Sequence, residues 1–282
     1  MSGGTALAAG EYLRTWRQRR RMSQLEFALE AEISQRHLSF LESGRSVPSR
    51  DMLLHLAERL EVPLRDRNAM LLAAGYAPVY AERSLEDPAM AAARQAIELV
   101  LKGHEPYPAL AVDRHWNLVA ANAALAPMLA GVADRALLEP PVNVLRLSLH
   151  PEGMAPRITN LVEWRAHLLD RLRRQIAVTS DPVLADLLRE LSTYPVNNTL
   201  AAIDAAPPTD HGGVLVPLEL VTDAGLLSFI STTTVFGTPR DITLSELALE
   251  AFFPANTETA EILRRLSATD PFPVEIPPPP AR

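Results

Sequence analysis

The chain is 282 residues long, 48% apolar and free of cysteine, which points to two globular domains and excludes a disulfide framework, a thiolate metal site and a cysteine nucleophile. Its net charge of −7 is unevenly spread: residues 1–50 hold eight Arg against five Glu, a balance of +3, and the remainder carries −10. That asymmetry suits one nucleic-acid face on an otherwise acidic protein. There is no apolar run of about eighteen residues, so no membrane span is expected. The opening residues, Met1 to Gly4, lack the basic-then-apolar order of a secretory signal, so a cytoplasmic chain is expected.

In chain order, residues 11–20 predict a first helix with Leu13 and Trp16 turned inward at i, i+3, followed by Arg19, Arg20 and Arg21. The densest signal comes next. Residues 22–45 predict two short helices joined by a tight turn. Ser23 is a good N-cap, Glu26 three positions on completes a capping box, and Met22 and Phe27 form a hydrophobic staple. Leu25 and Leu29 share a face, and Leu25 counts with Leu38 and Leu41 as core. The pattern breaks at Ala31-Glu32-Ile33, restarts at the N-cap Ser34, and stops at Gly44 in the left-handed position. The second helix leaves Gln35, Arg36, His37 and Ser39 exposed. Such side chains read base edges, Gln suiting adenine and Arg suiting guanine. Gln24 opens the first of the two helices, where backbone N–H groups and the dipole favour a phosphate. Arg45 and Arg50 come after the second helix as backbone anchors. For Phe40, contact with a thymine methyl and plain packing both stay open. Ser49 caps a fourth helix to about Leu60, and a fifth, from about Leu64, stops at Gly75.

Residues 1–75 resemble the Xre-type helix-turn-helix repressors, through Leu13, Ser23-Gln24, the turn Glu32-Ile33-Ser34, and Leu41-Glu42-Ser43-Gly44-Arg45. The resemblance implies a regulator that binds double-stranded DNA, with a homodimer on a near-palindromic operator as the expected partner arrangement.

Residues 76–103 read as a linker and a helix that starts at the Asp87 cap with Pro88 in the first position. That helix is a connector, a core helix of the second domain, or both. Leu110 and Val112 alternate, Asp113-Arg114-His115 turns, and residues 116–121 return as a hairpin. Asn122 is placed as an N-cap. Helices are expected near 142–150, 160–178 and 182–194; the middle one carries Leu161, Trp164, Leu168, Leu172 and Ile176 on one face and Arg165, Arg171, Arg173 and Arg174 on the other. After a Pro/Ala/Asp loop at 200–213, strands are expected at 214–221, 226–236 and 247–253, with Gly225 supplying a positive φ in the first turn. A helix at 256–266 closes the domain, and residues 267–282 form a Pro-rich tail.

Two strands, then helices, then three strands is the outline of a PAS-like antiparallel sheet with helices on one face. The expected fold class is therefore α+β: an all-α, five-helix, helix-turn-helix domain at 1–75, then the sheet domain at 104–266. Residues 106–122, 143–153, 160–164, and 236–246 with Phe252-Phe253-Pro254 resemble the ligand-binding domain of MmyB-like transcription regulators. The resemblance implies a PAS-like sensor joined to an Xre-type domain, and a fatty acid as the associated ligand.

Arg146 and His150 lie at i, i+4 and suit a carboxylate headgroup, or else are a capping His and a solvated Arg. Trp164, Leu168, Phe229 and Phe252 suit either an apolar cavity or plain core. His104, His115, His167 and His211 show no metal-ligand spacing with acids, and the phosphate-loop, dinucleotide and nucleophile-elbow motifs are absent, so neither a cofactor nor an enzyme is expected. Two readings remain. In one, the second domain senses a small apolar, fatty-acid-like ligand and modulates dimeric DNA binding. In the other, it is only a dimerisation or protein-interaction module without ligand.

Overall fold

The computed structural model describes residues 9–196 and 215–269, without the side chains of the last two. The expected loop at 200–213, His211 and the tail from residue 270 lie outside them; residues 267–269, expected in the tail, continue the closing helix. The described residues divide into two units: one runs to Ser84 and takes in Gly237–Ser245, and the other runs from Leu85 to Phe236 and resumes at Glu246.

The first unit holds the five expected helices: α1 (Ala9–Arg19), α2 (Gln24–Glu30), α3 (Gln35–Glu42), α4 (Arg50–Arg59) and α5 (Leu64–Ala73). Leu13, Trp16, Phe27, Leu38, Leu41, Leu53, Leu56 and Met70 form their common core. The caps fall where the sequence put them. Ser23 and Glu26 complete the capping box, and the Ser34 and Ser49 hydroxyls accept from His37 and Met52 N–H. Leu25 is corrected from core to surface: it is 52% exposed and Leu29, on the same face, 69%, and Phe27 and Ala28 supply the buried side of α2. A seven-residue helix offers one narrow inward stripe, and the i, i+4 pair falls outside it.

The stretch after α5 stays with this unit. Asn68 binds it down, accepting from Val79 and Tyr80 N–H and donating to the Tyr80 carbonyl. Arg83 donates to Asp241 at 3.1 Å, and Ala81 forms an isolated bridge with Asp241.

The second unit starts with α6 (Ala91–Gly103), then β1 (Ala109–Val112), β2 (Leu118–Ala121), α7 (Ala126–Leu129), α8 (Val144–Leu149), α9 (Leu161–Thr179), α10 (Pro182–Thr193), β3 (Leu218–Thr222) and β4 (Gly225–Val235). After the excursion through residues 237–245, which contains the single turn α11 (Ile242–Ser245), come β5 (Ala248–Pro254) and α12 (Thr257–Thr269). All pairings are antiparallel, in the order β2-β1-β5-β4-β3, so β5 lies between β1 and β4 at the sheet centre.

Strand alternation gives the sheet two covered faces. Leu110, Val112, Leu218, Leu220, Leu227 and Phe229 join the main core with Trp164, Leu168, Leu172, Leu184 and Leu187. Ala109, Ala111 and Leu249, on the other side, meet Ile97 and Leu101 of α6. The structure shows α6 packed as a core helix, and helices therefore cover both faces, not one. Asn122 also differs from expectation. Its side chain makes no cap bond; its oxygen accepts from Ala109 N–H and its amide donates to the Leu101 and Tyr107 carbonyls, tying the end of β2 to β1 and α6.

Candidate nucleic-acid interface and ligand cavity

In the first unit, α3 is a rod with one buried and one open side. Leu38 and Leu41 are fully buried, whereas Gln35, Arg36 and His37 are exposed and Ser39 and Phe40 half-buried. The Phe40 ring lies beneath two guanidinium groups, Arg36 at 5.4 Å and Arg45 at 5.9 Å. Each such cation–π contact restrains a long side chain at little cost in solvation. To the two uses open for Phe40, the geometry adds a third: it holds both arginines on the open edge. Arg45 and Arg50 are exposed beyond the helix.

A buried ion pair fixes this helix against α1. Arg17 donates to both Glu42 oxygens, at 2.6 and 2.9 Å, and to the Met22 carbonyl. Burial raises the pKa of Glu42, but hydrogen bonds from Arg17 and Gln24, with the charges of Arg17 and Arg14, overcome this and hold it below the usual carboxylate range. Gln24 thus spends an amide donor inside the unit, at 2.8 Å from Glu42, instead of offering it to a phosphate. Its backbone still opens α2. Nothing in the sequence announced the pair, because its members lie 25 positions apart.

In the second unit a cavity opens between the sheet and α7, α8 and α9. Trp116, Met128, Leu145, Trp164, Leu168 and Phe252 are among its walls, and its free volume is about 80 Å³, several times what one water requires. Three of the expected residues line it: Trp164, Leu168 and Phe252. Phe229 is fully buried behind, edge-on to Phe252 at 6.1 Å. Arg146 and His150 are elsewhere. Arg146 makes a bidentate pair with Glu190, at 2.7 and 2.8 Å, and His150 ends α8 with its ring against Tyr194. The α8 residues that do face the cavity are Val144, Leu145, Leu147 and Ser148. An i, i+4 spacing puts two side chains on one face without saying which face is inward.

Among the described lining residues the charged groups are a pair that the helical spacing did not single out. Arg171, assigned to the solvent side of α9, reaches Glu250 on the central strand at 2.5 and 3.1 Å. Its guanidinium also donates to Thr233 and stacks 4.5 Å from the Trp116 ring. Thr233 and Glu250 are register partners on β4 and β5. One signal was present: Glu250 shares strand parity with Phe252, so an acid on the inward face called for a buried base. The Trp164 indole N–H donates to the Ser148 hydroxyl at 3.0 Å, also at the cavity wall. Behind Trp164, stacked at 5.7 Å, His167 has its pKa lowered by burial and by the charges of Arg171 and Arg174, which keeps the ring neutral near pH 7.

Comparison with known families gives two matches. Residues 93–266 match the MmyB-like transcription regulator ligand binding domain, and residues 13–66 match a helix-turn-helix family. No curated protein matches the chain. Among the described residues, no helix is long and apolar enough to cross a membrane.

Proposed function

The chain belongs to the family of the MmyB-like transcription regulator ligand binding domain, joined to a helix-turn-helix domain, and from that premise we propose a sequence-specific DNA-binding regulator that acts in the cytoplasm. It binds a near-palindromic operator as a homodimer, with half-sites one helical turn, ~34 Å, apart. Arg45 and Arg50 contact phosphates and set the register; Gln35, Arg36, His37 and Ser39 read bases in the major groove. The PAS-like domain takes a small apolar ligand, fatty-acid-like in its hydrocarbon body, into the cavity under α8 and α9. The observation that carries the DNA reading is the open edge of α3, with Gln35, Arg36 and His37 exposed on a helix whose other side is closed by Leu38, Leu41 and Glu42.

Connectivity supports a link between ligand and DNA. The cavity is lined by Ser231 of β4 and by Glu250 and Phe252 of β5. Between those strands the chain passes through Gly237–Ser245, which belongs to the helical unit. Selection of bound duplexes from a random pool tests the DNA reading. Arg36→Ala is expected to relax preference at one base position of each half-site, a loss of roughly 1–3 kcal/mol of discrimination. Arg45→Ala is expected to weaken specific and random DNA alike and to flatten the salt dependence of binding. Identical selected sequences for the wild type and Arg36→Ala would remove the base-reading role of that residue.

A further inference from the structure

Given the sensor reading, on which this inference rests, the polar groups of the cavity select the polar end of its ligand. Among the described lining residues the charged groups are Arg171 and Glu250. They neutralise one another through two short contacts, and Glu250 is only 4% exposed. The guanidinium gives two N–H donors to the carboxylate and one to the Thr233 hydroxyl, and its face lies on the Trp116 ring. Thr233 donates in turn to Glu250 at 3.0 Å, so the carboxylate is held from the strand as well.

An incoming carboxylate either displaces Glu250 from Arg171 or lies beside it as a second negative charge on one guanidinium. Either way the site holds one more buried negative charge than Arg171 can match, which is costly in a low-dielectric interior. Neutral His167 brings no further positive charge to the wall. A hydroxyl donor, by contrast, is in place. Ser148 accepts from the Trp164 indole and keeps its own O–H to give. Ser231, on β4, is a second hydroxyl at the wall.

We propose that the cavity takes an uncharged apolar molecule bearing one hydrogen-bonding oxygen, an alcohol, ketone or ester, with that oxygen at Ser148, and discriminates against the carboxylate of the same chain. Titration calorimetry on the full chain with decanol and decanoate tests this. Decanol is expected to bind at least about ten-fold more tightly. Glu250→Gln is expected to reverse the order, because Arg171 then carries an unmatched charge. Ser148→Ala is expected to weaken decanol about five-fold and leave decane unchanged. If Glu250→Gln does not fold, the wild-type comparison and Ser148→Ala still decide. Decanoate binding as tightly as decanol to the wild type overturns the inference and leaves the sensor reading standing. Absence of binding by both overturns the sensor reading, and the inference with it.

Discussion

At Glu42 a family marker becomes a structural part with a measurable role. The sequence showed Glu42 beside Gly44 and Arg45 but not what it met, since a contact 25 positions away leaves no periodic trace. The structure makes it the closed end of an Arg17–Glu42–Gln24 set that presses α3 onto α1. Its pKa lies below the unfolded-state value, so the folded chain binds fewer protons than the unfolded chain through the acid range. The stability it contributes is therefore complete above the usual carboxylate range and is lost as pH falls through the folded value. Glu42→Gln leaves the Arg17 charge buried and unmatched, at a cost of about 3 kcal/mol near neutral pH. Thermal melts at a series of pH values check this: the gap between wild type and variant should narrow on acidification. Parallel profiles would show that the charge of Glu42 contributes nothing.

The helices, and the break at Ala31-Glu32-Ile33, were legible because caps and apolar spacing are local; the backbone closure of the turns was not. Three helices of the first unit end in left-handed residues that carry side chains, Arg21, Glu32 and Glu61. At each the backbone closes the same way. Arg21 N–H donates to Gln18 and Met22 N–H to Arg17, with the same pattern at Glu32-Ile33 and Glu61-Val62. This is the Schellman closure, with an apolar residue after the left-handed one. Glycine would have announced it, as Gly75 did after α5, whereas Arg or Glu in that position costs about 1–2 kcal/mol and gives no warning. Met22, Ile33 and Val62 are packed on the core behind these turns. Their burial offsets the local strain and fixes the angle at which the next helix starts. The close fit of α1 on α3 was equally invisible. A Cβ on Gly10 would stand 2.3 Å from the Leu41 carbonyl oxygen, and that oxygen belongs to backbone inside a packed helix. Gly10→Ala is expected to force the two helices apart and destabilise the unit by about 1–3 kcal/mol. Urea denaturation monitored by circular dichroism checks the magnitude, and protection from hydrogen exchange in α1 and α3 checks the place. Unchanged protection would mean that α1 shifts without loss.

For the whole chain, a helical end and a sheet-and-helix end were legible in the sequence, and the structure groups the described residues in a way that no linear reading gives. A linear reading ends the first domain at Gly75, because a run of loop signals comes next. The structure assigns residues up to Ser84 to that unit and adds Gly237–Ser245. Asp241 is the anchor of that addition. It is buried, accepts from Arg83 across 158 positions and caps its own turn at Thr243 N–H. No spacing rule reaches so far along a chain. Covalent continuity has a consequence here: a ligand that shifts β4 against β5 pulls on both ends of a segment held in the DNA-binding unit. Coupling of this kind commonly changes affinity roughly 5–150-fold. Asp241→Ala releases the anchor without touching the cavity or the edge of α3. Ligand affinity and the DNA affinity of the ligand-free protein should both stay within about two-fold of wild type, while the ligand-induced change in DNA affinity falls toward unity. Operator binding measured with and without a cavity ligand gives the comparison directly. A full response in Asp241→Ala would show that the signal leaves the sheet by another path, and that the shared segment is only a place where the chain passes through.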